Sequence, residues 1–157
     1  MAESVVTEAL RAQLGVDGPV TVQEVTSTGC RMFARAVGHT DLVFYDRDTA
    51  RNRGYRDILA PPGYLGTPVY LPRQTGETRP GNDLDIPYRR VLNGGTTYEY
   101  IEPVCAGDVI TSRTRTTEYQ ERTGSIGPML IVFRETRYCR ESDGKMVARM
   151  FGNTIHY

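Results

Sequence analysis

Residues 96–157 place the tightest constraint on the fold. Residues 129–138 form the most apolar run of the chain, and residues 109–119 and 147–155 flank it with β-branched and aromatic side chains suited to a half-buried pleated surface. A break at residues 124–128 separates the first two runs, and Asp143-Gly144, a type I′ hairpin signal, separates the last two. Three consecutive antiparallel strands are therefore predicted. Residues 96–101 add another strand, with a turn over residues 102–108. The Thr-rich, polar character of residues 109–119 predicts a sheet with one face toward solvent.

The first half is patterned differently. Val6, Ala9, Leu10 and Leu14 recur at helical spacing, which predicts a short helix over residues 4–14 closed by Gly15. Residues 19–25 alternate as a strand. Thr26 or Ser27 then caps a helix whose apolar stripe is Cys30, Phe33, Ala34 and Val37 and which stops at Gly38. Asp46 caps a polar helix running to about Arg53, and Gly54 ends it. Residues 63–70 begin a further helix that Pro68 limits. Residues 72–90, rich in Pro, Gly and charge, read as a long loop. Helices followed by a meander make one α+β domain over residues 1–157.

Composition narrows the function. The 157 residues suit a single core, and 19 basic against 19 acidic residues leave no net charge to drive nucleic-acid or membrane binding. Cys30, Cys105 and Cys139 are odd in number and lack zinc spacing, so neither a disulfide framework nor a metal site is indicated, and a reduced cytoplasm fits. No secretion signal or long apolar span is present. Nucleophile-elbow, zincin, phosphate-loop and dinucleotide patterns are missing, so no cofactor is implied.

The candidate chemistry lies between residues 33 and 63. His39 follows a helix end with Asp41 two residues on; the carboxylate either orients the imidazole as an acid/base pair, or His39 interacts with the helix C-terminus while Asp41 makes an Asx turn. His156 reads as structural. Gly63, after Pro61 and Pro62, is either a plain loop-to-helix junction or a free backbone donor able to stabilise a thioester oxyanion. Arg73, Arg79, Arg89 and Arg90 around the long loop either hold phosphates of a carrier or are solvated.

With Phe33-Ala34-x-Ala36-x-Gly38, Tyr45-Asp46, Gly54-Tyr55, Leu59-Ala60-Pro61-Pro62, Gly107-Asp108 and Asp143-Gly144 in order, the chain resembles the MaoC-like, or hydratase 2, branch of the hot-dog superfamily. Within it the likeness is to FAS1-like dehydratases, the N-terminal half of MaoC dehydratase, over about residues 20–157. The resemblance implies a hot-dog fold, an antiparallel sheet wrapped around a central helix, and 3-hydroxyacyl or trans-2-enoyl thioesters of CoA or acyl carrier protein as substrates. It also implies an acyl site drawing on Phe44, Tyr45, Leu59, Ala60, Pro62, Gly63 and Tyr64, with Gly63 at the family's oxyanion donor. Active members carry Gly-Asp-x-Asn-Pro-x-His-x-Asp. Here residues 38–46 align with it, which puts His39 at the catalytic Asp position and Phe44 at the catalytic His position.

Phenylalanine transfers no proton, so the resemblance implies the degenerate subunit of a two-hot-dog dehydratase, similar to the non-catalytic subunit of heterodimeric hydroxyacyl-carrier dehydratases. The partner is then a catalytic MaoC-like subunit, or a second copy in a homodimer. Two rivals stand beside it: a stand-alone dehydratase or isomerase using His39 and Asp41, and a non-enzymatic acyl-thioester binding module.

Overall fold

A computed structural model describes residues 4–67 and 85–157. Its centre is one antiparallel sheet of five strands: β1 (Thr21–Glu24), β2 (Val91–Tyr100), β3 (Val109–Gly124), β4 (Gly127–Arg140) and β5 (Met146–His156), in the spatial order β1-β3-β4-β5-β2. Strands β3, β4 and β5 are the predicted meander. The predicted β3 stops at Tyr119, whereas the observed strand runs on to Gly124 because it stays paired with β4 through Gly124 opposite Gly127.

Among the described residues, three short α-helices precede β2: α1 (Glu8–Ala12), α2 (Ser27–Ala36) and α3 (Arg47–Asn52). None of the described helices is long and apolar enough to cross a membrane. Thr26 Oγ1 caps α2 by accepting from Gly29 N at 3.0 Å, and Asp46 Oδ2 caps α3 by accepting from Thr49 N at 2.7 Å. Cys30 and Ala34 of α2 are fully buried, and Cys30 packs in one core cluster with Ile110, Tyr138 and Ala148 of the sheet. Val37 leaves the predicted stripe: the helix ends at Ala36, and Val37, its cap, is 53% exposed.

Two other expectations are corrected. Helix α1 spans five residues rather than eleven: Thr7 Oγ1 caps it by accepting from Leu10 N at 3.2 Å while Glu121 of β3 holds Ser4 and Val5 ahead of the cap, and the sheet captures the residues beyond its C-terminus, Gly15 N donating to Thr116 O and Gly18 N to Thr114 O, both at 2.8 Å. Its buried Leu10, with Val6, instead covers Leu130 and Val132 in a second core cluster. The β4–β5 turn is not type I′, which needs positive φ at both central residues. Only Gly144 has it, at 68°; Gly144 N reaches back to Arg140 O at 2.8 Å, and Asp143 Oδ1 accepts from Lys145 N at 3.1 Å, which defines a longer turn.

The helix predicted from residue 63 is a 3₁₀ turn at Tyr64–Gly66, and Pro68 to Tyr70 lie outside the described residues. So do residues 72–84 of the predicted loop, with Arg73 and Arg79. Ile86 and Tyr88 pack on the second cluster, and the Arg90 backbone pairs with that of Tyr157.

Alternation along β4 sends Leu130, Val132, Arg134, Thr136 and Tyr138 to one face, so the two clusters lie on the same side of the sheet with a polar belt between them. Arg134 Nη1 donates to Thr154 Oγ1 at 3.1 Å, and Thr154 Oγ1 lies 3.1 Å from His156 Nε2. Burial first, then the charge of Arg134, holds the His156 pKa below its ordinary value. The folded state therefore keeps His156 neutral while the unfolded chain protonates below about pH 6.5, so this group's contribution is complete above that value and is lost as pH falls through the folded pKa. Urea melts are expected to show stability beginning to fall just below pH 6.5, with that first part of the decline reduced in His156→Gln. An identical profile in the variant would assign the decline elsewhere.

Candidate active site

A groove of about 330 Å³ opens between the 3₁₀ turn Leu42–Phe44, the Pro61-Pro62 segment and the chain leaving β2. Its walls include Phe44, Leu59, Ala60, Pro62, Ile101 and Val104, with Tyr55, Tyr100 and Glu102 as its polar members. Its size and apolar lining suit a small-molecule chain. Two short extended segments form the floor: Ala60 N donates to Val104 O and Ala106 N to Ile58 O, each at 2.8 Å, with a bridge between Leu59 and Cys105. Asp108 anchors this floor by accepting from Cys105 N at 2.9 Å and from both Nη atoms of Arg56 at 2.8 Å.

The two positions where the resemblance expects an acid/base pair do meet in space. The rings of His39 and Phe44 lie 5.1 Å apart, tilted by 42°. Asp41 points into another network: Oδ1 caps the 3₁₀ turn by accepting from Val43 N at 3.0 Å, and Arg53 Nη1 donates to both carboxylate oxygens at 2.8 and 2.7 Å. The Val43 amide, then Arg53, hold its pKa below the usual carboxylate value. Among the described hydrogen bonds, none joins the His39 imidazole to Asp41. Tyr45 latches the loop from outside the groove, its hydroxyl donating to His39 O at 2.6 Å.

Leu59, Ala60 and Pro62 line the groove, whereas Tyr64 is a core residue, buried edge-on against Phe33 at 5.9 Å. Gly63 adopts φ 89°, and a β-carbon there would come within 3.3 Å of the Phe33 ring, so the turn requires glycine. Its N–H is already engaged, donating to Tyr100 Oη at 2.6 Å. Tyr55, Tyr100 and Glu102 were not candidates from sequence; only the Tyr-Glu-Tyr alternation at residues 98–100, which puts Tyr98 and Tyr100 on one face, hinted at them. Burial pushes the Cys30 thiol up to about 12, which makes it inert as a nucleophile. Among the described residues, no three His, Cys, Asp or Glu side chains gather as a metal site.

The pattern of the FAS1-like, dehydratase domain region family matches residues 12–150. The chain belongs to this family. Among curated relatives of this FAS1-like dehydratase domain, a UPF0336 protein of Streptomyces griseus is 37% identical over 93 residues, covering 59% of this chain and 61% of that protein. A UPF0336 protein of Thermobifida fusca is 32% identical over 103 residues, covering 65% and 66%. The chain thus spans less than two thirds of the length of these relatives.

Solved structures show the fold. The ChsH1-ChsH2 complex from Mycobacterium tuberculosis superposes with a TM-score of 0.73 at 17% identity, over 90% of this chain and 89% of that one. A MaoC-like dehydratase gives 0.77 at 19%, over 93% of this chain and 42% of the other. The HadBC (3R-hydroxyacyl-ACP dehydratase) complex from Mycobacterium tuberculosis gives 0.66 at 20%, over 91% and 98%. The FAS1-like dehydratase domain therefore has the hot-dog fold of MaoC-like dehydratases.

Proposed function

We propose that this chain is the degenerate half of a two-hot-dog dehydratase for 3-hydroxyacyl or trans-2-enoyl thioesters, shaping the acyl channel while a partner hot dog supplies the Asp and His. One observation carries the reading. Phe44 lines the acyl-sized groove beside His39, so at the family's dyad positions the frame is kept and the proton chemistry is altered. Loss of one general acid/base group removes about 10²- to 10⁴-fold in rate, and loss of both leaves mainly binding. Strand β2 lends support, because among the described strands it ends the sheet and pairs only with β5, and a sheet edge is the kind of surface a partner strand can extend. Two structural neighbours are themselves complexes, ChsH1-ChsH2 and HadBC.

The rival acid/base pair, His39 with Asp41, has weaker support, since Asp41 is held by Val43 and Arg53. The test is hydration of a short enoyl-CoA by the chain alone and then mixed with candidate hot dogs that carry an intact Asp and His. Expected is little turnover alone and a rise of at least about 100-fold in the mixture. Full hydration by the lone chain, unaffected by His39→Ala, would overturn the partner-dependent reading.

A further inference from the structure

We infer that the Tyr100 hydroxyl is the hydrogen-bond donor that fixes the carbonyl oxygen of an acyl thioester in the groove beside Phe44. The inference rests on the acyl-thioester reading above and adds the residue that recognises the ligand. The backbone donor at Gly63 is already spent on Tyr100 Oη at 2.6 Å. A phenol that accepts an amide hydrogen keeps its own O–H for a second acceptor, and the accepted bond polarises the donated one.

Among the described residues that second hydrogen has few places to go: Tyr100 lines the groove, where the polar side chains besides its own are Tyr55 and Glu102 and the rest of the described wall carries apolar side chains. The ring is fixed from behind: it stacks on Tyr98 at 5.8 Å with a 14° interplanar angle. Tyr98 in turn fits against Gly66, where a β-carbon would lie 2.0 Å from its hydroxyl. Burial raises the Tyr100 pKa, which keeps the phenol a donor at neutral pH. The carboxylate of Glu102 in the same groove repels a free fatty acid, whereas a neutral thioester avoids that repulsion and its carbonyl oxygen accepts from Tyr100.

Calorimetric titration of hexanoyl-CoA and of its thioether S-hexyl-CoA, which lacks the carbonyl, separates this role from simple packing. In Tyr100→Phe, hexanoyl-CoA is expected to bind about 3- to 10-fold more weakly while S-hexyl-CoA is unchanged. Unchanged or tighter hexanoyl-CoA binding in Tyr100→Phe would hand the carbonyl to the released Gly63 amide and overturn the assignment, as would equal weakening of both ligands. A wild-type chain that binds neither ligand would sink the acyl-thioester reading itself, so the two failures are distinguishable.

Discussion

Asp108→Ala is expected to destabilise the chain by about 3 kcal/mol, toward the lower end of what breaking a buried ion pair costs. Asp108 is 5% exposed and accepts from Arg56, bidentately, and from Cys105 N. Arg140, 8% exposed, has its Nε 3.7 Å from the same carboxylate and also donates to Asp143 at 2.8 Å and Pro103 O at 3.2 Å. Arg56 lies partly in water and can turn outward when its partner is lost. Arg140 has no such exit, so most of the cost falls on it and on the orphaned Cys105 amide. The expected drop in melting temperature is about 6–12 °C for a domain of this size, with a smaller drop for Asp108→Asn, which retains an acceptor. Burial alone raises the Asp108 pKa, yet the Arg56 and Cys105 hydrogen bonds outweigh it and the net shift is downward. This stability is therefore present above about pH 3.9 and lost as pH falls through the folded pKa. A loss below about 1 kcal/mol would show that Arg140 is satisfied without Asp108.

The same network explains which parts of the molecule could be read from sequence. Local signals were legible: the Thr26 and Asp46 caps, the Cys30 and Ala34 stripe, and the β3-β4-β5 meander rest on contacts within a few residues or on period-two alternation. Most of the features that escaped were set by distant partners: the chain after α1 is drawn onto β3, Gly15 to Thr116 and Gly18 to Thr114. The β4–β5 turn escaped for a local reason, because Asp143 is held by Arg140 and Lys145, three and two residues away, in a longer turn.

The candidate site divides along the same line. Phe44, Leu59, Ala60 and Pro62 were marked by a family pattern, and they do line one groove. Asp41 looked like a partner for His39 because it is two residues away, but Arg53, twelve residues on, competes for its carboxylate. Tyr100 lies 37 residues from Gly63, and no spacing rule connects a strand end to a proline turn. Its contact with Gly63 arises only when β2 runs beneath that turn.

The second large effect concerns His39 and Phe44 themselves. Their rings lie 5.1 Å apart beside the groove that Phe44 lines, so the double substitution His39→Asp with Phe44→His is expected to return an acid/base pair to a frame that still has an apolar channel and polar groups at Gly63 and Tyr100. The expected gain in enoyl-CoA hydration by the chain alone is at least about 100-fold. Neither single change should deliver it, because Asp without His lacks the group that titrates near neutrality and His without Asp lacks its orienting partner, and residues acting as a unit are strongly non-additive. Backbone support for the exchange is local: His39 N is held by Ala34 O at 2.9 Å and its carbonyl by Tyr45, neither of which needs the imidazole. A pH profile of the gain adds a control, since restored catalysis should fall away as the new His is protonated below about pH 6.5. A folded double variant with no gain in rate would mean that the groove has lost more than its dyad, and the degenerate-half reading would then give way to that of a binding module.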